Sequence, residues 1–158
     1  KRSLVNISKN KKHMKHILLT IIIIFITHNI FCQTKTLSDS GKAHKLSIQV
    51  TKLFKENKIN KAFEKLIPFW AASAEEIESM QIKTLKYLDM LNKSYDGVIG
   101  SSEGKTETIN DFAIRETYFV LYNKSAIRLI FTYYKSNKGW IVNSFKWDDS
   151  FDEEFMTK

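Results

Sequence analysis

"DFAIRETYFVLYNKSAIRLIFTYYKSNKGWIVNSFKW", residues Asp111 to Trp147, decides the fold. β-Branched and aromatic side chains dominate it and alternate with polar ones at a period of two, the spacing of a half-buried strand. Two breaks interrupt the alternation, at Asn123-Lys124 and from Ser136 to Gly139, so the stretch reads as three long strands joined by short turns. Strands joined this tightly lie antiparallel beside one another.

Within the middle strand, Ile127, Leu129, Phe131 and Tyr133 make an apolar face, and Arg128, Ile130, Thr132 and Tyr134 a mixed one. A three-residue loop of Asn137, Lys138 and Gly139 would align that core face with Ile141, Phe145 and Trp147, leaving Ser144 and Lys146 on the mixed side. The Asn123-Lys124 turn has two readings, and a one-residue change exchanges the faces of a strand. A two-residue turn pairs Tyr122 with Ser125 and sends Phe112, Ile114, Glu116, Tyr118 and Val120 inward. A three-residue turn sends Arg115, Thr117, Phe119 and Leu121 inward and leaves Glu116 outside. Asn favours the shorter turn, although Lys in its second place is poorer than Gly.

Upstream, "YDGVIGSSEGKTE" (residues 95–107) reads as an edge strand and a glycine-softened turn. Before Asp96-Gly97 the period is helical. Ser73 with Glu76 three residues later forms a capping box, and Ile77, Met80, Thr84, Leu88 and Leu91 follow on one face, with an end near Asn92 to Tyr95. Lys83 and Lys86 fall on the other, solvated face. A shorter helix from Lys61 to Ile67 stops at Pro68, which has no amide hydrogen to give. A first helix is capped by Asp39 or Ser40, carries Ala43, Leu46, Val50, Leu53 and Phe54 at helical spacing, and ends near Asn57. Three N-terminal helices followed by a meander of about four strands make an α+β domain, its helices packed on one face of a curved antiparallel sheet.

The order of these elements and the "YYKSNKGWIVNSFKWDD" ending, with Tyr134, Lys135, Gly139, Trp140 and Phe145 in place, resemble the nuclear-transport-factor-2-like superfamily, the cone-shaped fold also called cystatin-like. The resemblance covers roughly residues 41–150 and is to exported bacterial members of unknown function. It implies a cavity between the helices and the concave sheet face, and a homodimer through the outer sheet face. Enzymes of the superfamily that isomerise or hydrate small molecules place Asp, His or Tyr in that cavity; no histidine lies on the strands here.

At the other end, "MKHILLTIIIIFITHNIFCQTKT" (residues 14–36) holds an apolar run shorter than the roughly 20 residues that span a bilayer, with a basic start and a polar exit. It reads as a signal peptide over residues 14–32, cleaved before Gln33, with residues 1–13 an upstream or disordered basic segment, 33–40 a flexible linker and 41–158 a single domain. The location expected is periplasmic or extracellular in a Gram-negative bacterium. An uncleaved run that displays the domain from a single membrane anchor, and a lipid on Cys32, are the other readings; the membrane is a partner only through this segment.

Six of the 25 Lys and Arg, and none of the 17 Asp and Glu, lie in residues 1–32, so 19 bases face 17 acids in the rest and the +8 of the whole chain belongs largely to the leader. Without a basic stripe, nucleic-acid binding loses its support. The leader also holds the lone cysteine, Cys32, and His13, His16 and His28, leaving His44 alone. Cys and His zinc sites and thiol nucleophiles are thereby disfavoured, no cofactor is implied, and a Ser-His-Asp triad would have to use His44, read as a surface residue.

The leading expectation is a secreted, non-catalytic binding or interaction domain for a small apolar or amphipathic ligand, with Trp70, Tyr118, Phe131 and Tyr133 as candidate cavity residues. Trp70, Trp140 and Trp147 read first as packing residues. The catalytic candidate is Glu116: inside an apolar cavity it would act as the base of an isomerase or hydratase, whereas on the surface it would pair with Arg128. The acidic end "WDDSFDEEF" lacks the glycine and spacing of a calcium loop and reads as a solvated tail.

Overall fold

The computed structural model describes residues 34–155. The upstream segment, the signal peptide and its cleavage point lie outside the described residues. Within them, α1 (Ser40–Lys55), α2 (Ile59–Leu66) and α3 (Ala74–Ser94) precede four strands, β1 (Val98–Ile109), β2 (Ala113–Tyr122), β3 (Ala126–Ser136) and β4 (Gly139–Asp148), in one antiparallel sheet of order β1-β2-β3-β4. This is the α+β order that the sequence pattern implies. No helix among the described residues is long and apolar enough to cross a membrane.

The helix ends follow their local chemistry. Asp39 caps α1 by accepting from the Lys42 amide at 2.9 Å, and Pro68 closes α2 into a single 3-10 turn, Ile67–Phe69. Ser73 and Glu76 form the reciprocal capping box of α3: the Glu76 amide donates to Ser73 Oγ at 3.2 Å and the Ser73 amide to Glu76 Oε2 at 2.9 Å. The apolar stripes of Ala43, Leu46, Val50 and Phe54 on α1, of Ile59, Ala62, Phe63 and Leu66 on α2, and of Ile77, Leu88 and Leu91 on α3 are buried against the inner sheet face. Phe145 lies at the centre of this core, 5.0 to 6.1 Å from the rings of Phe54, Phe63, Trp70 and Phe131.

The open turn takes its shorter form. The Tyr122 amide donates to the Ser125 carbonyl at 2.9 Å and Leu121 pairs with Ala126, so Glu116, Tyr118, Val120 and Tyr122 face inward. The turn needs no glycine because it is docked: the Asn123 and Lys124 amides donate to the carbonyls of Gly97 and Tyr95 beyond α3. Phe112 is a correction. It sits in the β1–β2 turn, half-exposed, with its ring against Tyr134.

Two further expectations change. The β3–β4 turn has two residues, not three: Ser136 pairs with Gly139, so Trp140 and Val142 face the core in place of Ile141. A bulge at Asn143 then adds one residue to β4 and restores Phe145 to the inner face. The glycine-softened turn after residue 103 is instead a bulge inside the continuous strand β1, with Gly104 and Lys105 opposite Thr117. A side chain at Gly104 would meet the Thr117 carbonyl at 2.8 Å.

The stretch expected as a linker is attached from residue 35 onward. The Lys35 amide donates to the Pro68 carbonyl, and Leu37 exchanges two hydrogen bonds with Trp140, at 2.8 and 2.9 Å. Together with Trp70-Ala71, which pairs along Val142, it covers the free edge of β4 that would otherwise offer unpaired amides. The acidic end, expected as a solvated tail, folds as a 3-10 turn, Phe151–Phe155, whose Glu153 and Glu154 reach Arg128 on the outer sheet face.

Candidate functional site

Two places concentrate chemistry on the helix side of the sheet. In the first, β2 turns Glu116 and Tyr118 toward α1, which presents His44 and Ser47. Glu116 is 3% exposed; its Oε1 lies 3.1 Å from His44 Nδ1, and its Oε2 is buried with no partner. The Tyr118 hydroxyl is also 3.1 Å from His44 Nδ1. Beside them the Tyr133 hydroxyl bonds Ser47 Oγ at 2.7 Å. Burial raises the pKa values of Tyr118 and Tyr133 well above the ordinary phenol, and the Glu116 charge adds to both. Their hydroxyls are therefore fixed neutral groups at physiological pH.

His44 is the member whose ring meets water, its side chain 41% exposed, with Nε2 turned toward Glu103 on β1 at 3.8 Å. The carboxylate on Nδ1 orients the imidazole and leaves Nε2 as the outward nitrogen. Glu116 and Arg128 stand on opposite sheet faces, so the surface pairing considered for them does not form. Trp70, Phe131, Tyr118 and Tyr133 are all buried: Trp70 and Phe131 pack on Phe145, and Tyr118 sits edge-on to Phe131 at 5.8 Å.

Sequence reading placed His44 on the surface. The available signal was the polar row His44, Ser47 and Thr51, at i, i+3 and i+7 beside the apolar stripe of α1. Ser47 and Thr51 are buried, so this row faces the sheet.

The second place is the cleft between α3 and the end of β4. Two adjoining concavities of about 560 and 750 Å3 share Lys83, Trp147 and Asp148. The Trp147 indole N–H donates to Thr84 Oγ1 at 2.8 Å, and Thr84 in turn donates to the Met80 carbonyl at 2.7 Å, which fixes the indole plane. Tyr87 packs on the indole at 5.4 Å between ring centres. Met80, Tyr87, Met90 and Trp147 make an apolar floor; Lys83 and Lys86, exposed as the sequence implies, stand on its rim with Asp148 and Asp149.

No protein-family model matches the chain, and no curated protein matches it. Among solved structures it is similar to a Campylobacter jejuni protein whose crystal structure carries the name "NTF2-like transpeptidase", with 17% identity, a TM-score of 0.43, and an alignment that covers 65% of this chain and 97% of that one.

Proposed function

We propose that this is an exported, non-catalytic binding domain that takes a small amphipathic molecule in the cleft between α3 and β4. The observation that carries the reading is the immobilised Trp147 ring, held by Thr84 and Tyr87 at the wall of a concavity of about 560 Å3. That size lies within the range of small-molecule sites, which combine an apolar lining with a few placed polar groups. An apolar body would lie on Trp147, Tyr87 and Met90, and an anionic head would meet Lys83 and Lys86. Export rests on the leader-like residues 14–32 alone.

The probe for a test is 8-anilinonaphthalene-1-sulfonate, an aromatic body with one anionic group, titrated while tryptophan emission and probe emission are followed. One saturable site is expected, lost at least about tenfold in Trp147→Ala and in Met90→Glu with the far-UV circular dichroism unchanged. Equal affinity in both variants would overturn the reading.

The His44–Glu116 contact favours a second reading, a proton-transfer enzyme. Glu116 is the candidate base of the sequence, but in this reading its burial passes that role to His44 Nε2, with Glu116 orienting the ring. A base of this kind loses its activity in His44→Ala and most of it in Glu116→Gln. A turnover that survives both changes rules it out.

A further inference from the structure

On the outer sheet face, Arg128 projects from the central strand β3 with its side chain only 8% exposed. Its register neighbour on β4, Asp148, takes one side of the guanidinium in a two-point contact, Nε to Oδ1 at 2.8 Å and Nη2 to Oδ2 at 3.0 Å. That pair belongs to the sheet itself. The remaining donors are met from the C-terminal turn: Nη2 donates to Glu153 Oε2 and Nη1 to Glu154 Oε1, each at 2.7 Å. Lys105 Nζ approaches the other Glu154 oxygen at 3.1 Å. These bonds raise the guanidinium pKa further above its already high ordinary value, chiefly through Asp148 and then Glu153 and Glu154.

The turn that delivers the two glutamates has no buried residue; Phe151 and Phe155 are both exposed. Carboxylate contacts, not apolar packing, therefore seat it. Glu153 and Glu154 form part of the wall of a recess of about 620 Å3, in which Lys105, Arg115, Arg128 and Lys146 also face Glu107 and Asp148. Without Glu153 and Glu154, four bases would face two acids; with them the charged side chains of the lining balance. The hydroxyls of Thr117, Thr132 and Ser144 line the same wall and add neutral hydrogen-bonding groups.

We propose that this recess is a binding site for an acidic peptide segment bearing two adjacent carboxylates, and that Glu153-Glu154 occupies it as an internal competitor. The chain's own segment shows the chemistry that fits: a planar guanidinium receiving carboxylates on both sides, with an ammonium beside it. A tethered competitor lowers the apparent affinity of an external one by the fraction of time it stays seated. The recess borders the α3–β4 cleft through Lys146 and Asp148, so the peptide is tested with no other ligand present.

The test uses the full chain and its Glu153→Gln/Glu154→Gln variant, with a fluorescein-labelled peptide of the sequence of residues 149–155 followed by fluorescence anisotropy. The variant is expected to bind the peptide about tenfold more tightly than the parent chain, with an affinity that falls as salt is added. The same peptide with Gln in place of both Glu should not bind. Arg128→Gln added to the variant should abolish binding; should it fail to fold, Arg115→Ser at the exposed rim should weaken binding severalfold instead. Equal affinity for parent and variant, or equal binding of the Gln peptide, overturns the proposal. So does a variant that dimerises on gel filtration and leaves the peptide free, which would assign the face to a second copy of the chain.

Discussion

Replacing His44 by alanine removes the hydrogen bond to Glu116 Oε1, and the other carboxylate oxygen already has no partner. The variant would then hold a buried carboxylate with both oxygens unpaired. A hydrogen bond to a charged group contributes about 1.5–3 kcal/mol, and breaking a fully buried ion pair costs about 3–5 kcal/mol. His44 is 41% exposed on its side chain, so water can enter where the ring was, and the cost falls to about 2 kcal/mol. With a urea slope of about 2 kcal/mol per molar for a domain of this size, the denaturation midpoint should drop by about 1 M at pH 7 with the slope unchanged. Adding Glu116→Gln removes the charge, and the double variant should recover about 1 kcal/mol relative to His44→Ala alone. A His44→Ala midpoint that matches the parent, or a double variant no more stable than the single one, would refute the claim that this imidazole satisfies a buried anion.

Three more outcomes follow from the same structure. Burial holds the Tyr122 hydroxyl up to about 12, against 10.0 in the unfolded chain, and raises Tyr118 and Tyr133 in the same direction. The unfolded chain releases these protons first, so stability is intact below pH 10 and is lost as pH rises toward 12. In an alkaline titration the tyrosinate absorbance of these three rings should appear with the loss of far-UV circular dichroism; full ionisation of a still folded chain would refute it. Gly139→Ala should cost about 2 kcal/mol and speed amide exchange at Leu37 and Trp140, because φ is 131° there and a Cβ would stand 2.6 Å from the Leu37 carbonyl oxygen. Ser73→Ala should lower stability by about 1 kcal/mol in the same urea assay, through loss of the α3 cap.

The elements were legible because their signals are local. Period, caps and proline mark α1, α2 and α3 within a residue or two, and the alternation after Ala113 marks three strands without any tertiary knowledge. The misreadings within the sheet concern where one residue more or less enters a ladder. Gly104 reads as a turn in sequence and is a bulge in the sheet; the β3–β4 turn reads as three residues and has two, and the bulge at Asn143 takes up the difference. Each alternative satisfies the local rules equally, and only pairing with the neighbouring strand and packing against Phe145 select between them.

The sites divide in the same way. Glu116 could be singled out as the acid whose orientation matters, since the alternation fixes its phase once a turn length is chosen. What stands next to it could not, because His44 is 72 positions away and reaches it through the docking of a helix on a sheet. The same holds for Trp147 with Thr84, and for Arg128 with Glu153 and Glu154, whose partners are far apart in sequence or on a segment that no periodicity describes. The sequence by itself therefore determined the kinds of element, their order and the apolar face of most of them, through side-chain spacing and backbone chemistry. Only the tertiary structure decided the strand register, and with it whether a carboxylate meets an imidazole, an arginine or water, because contacts between distant segments exist only once the helices are packed on the sheet.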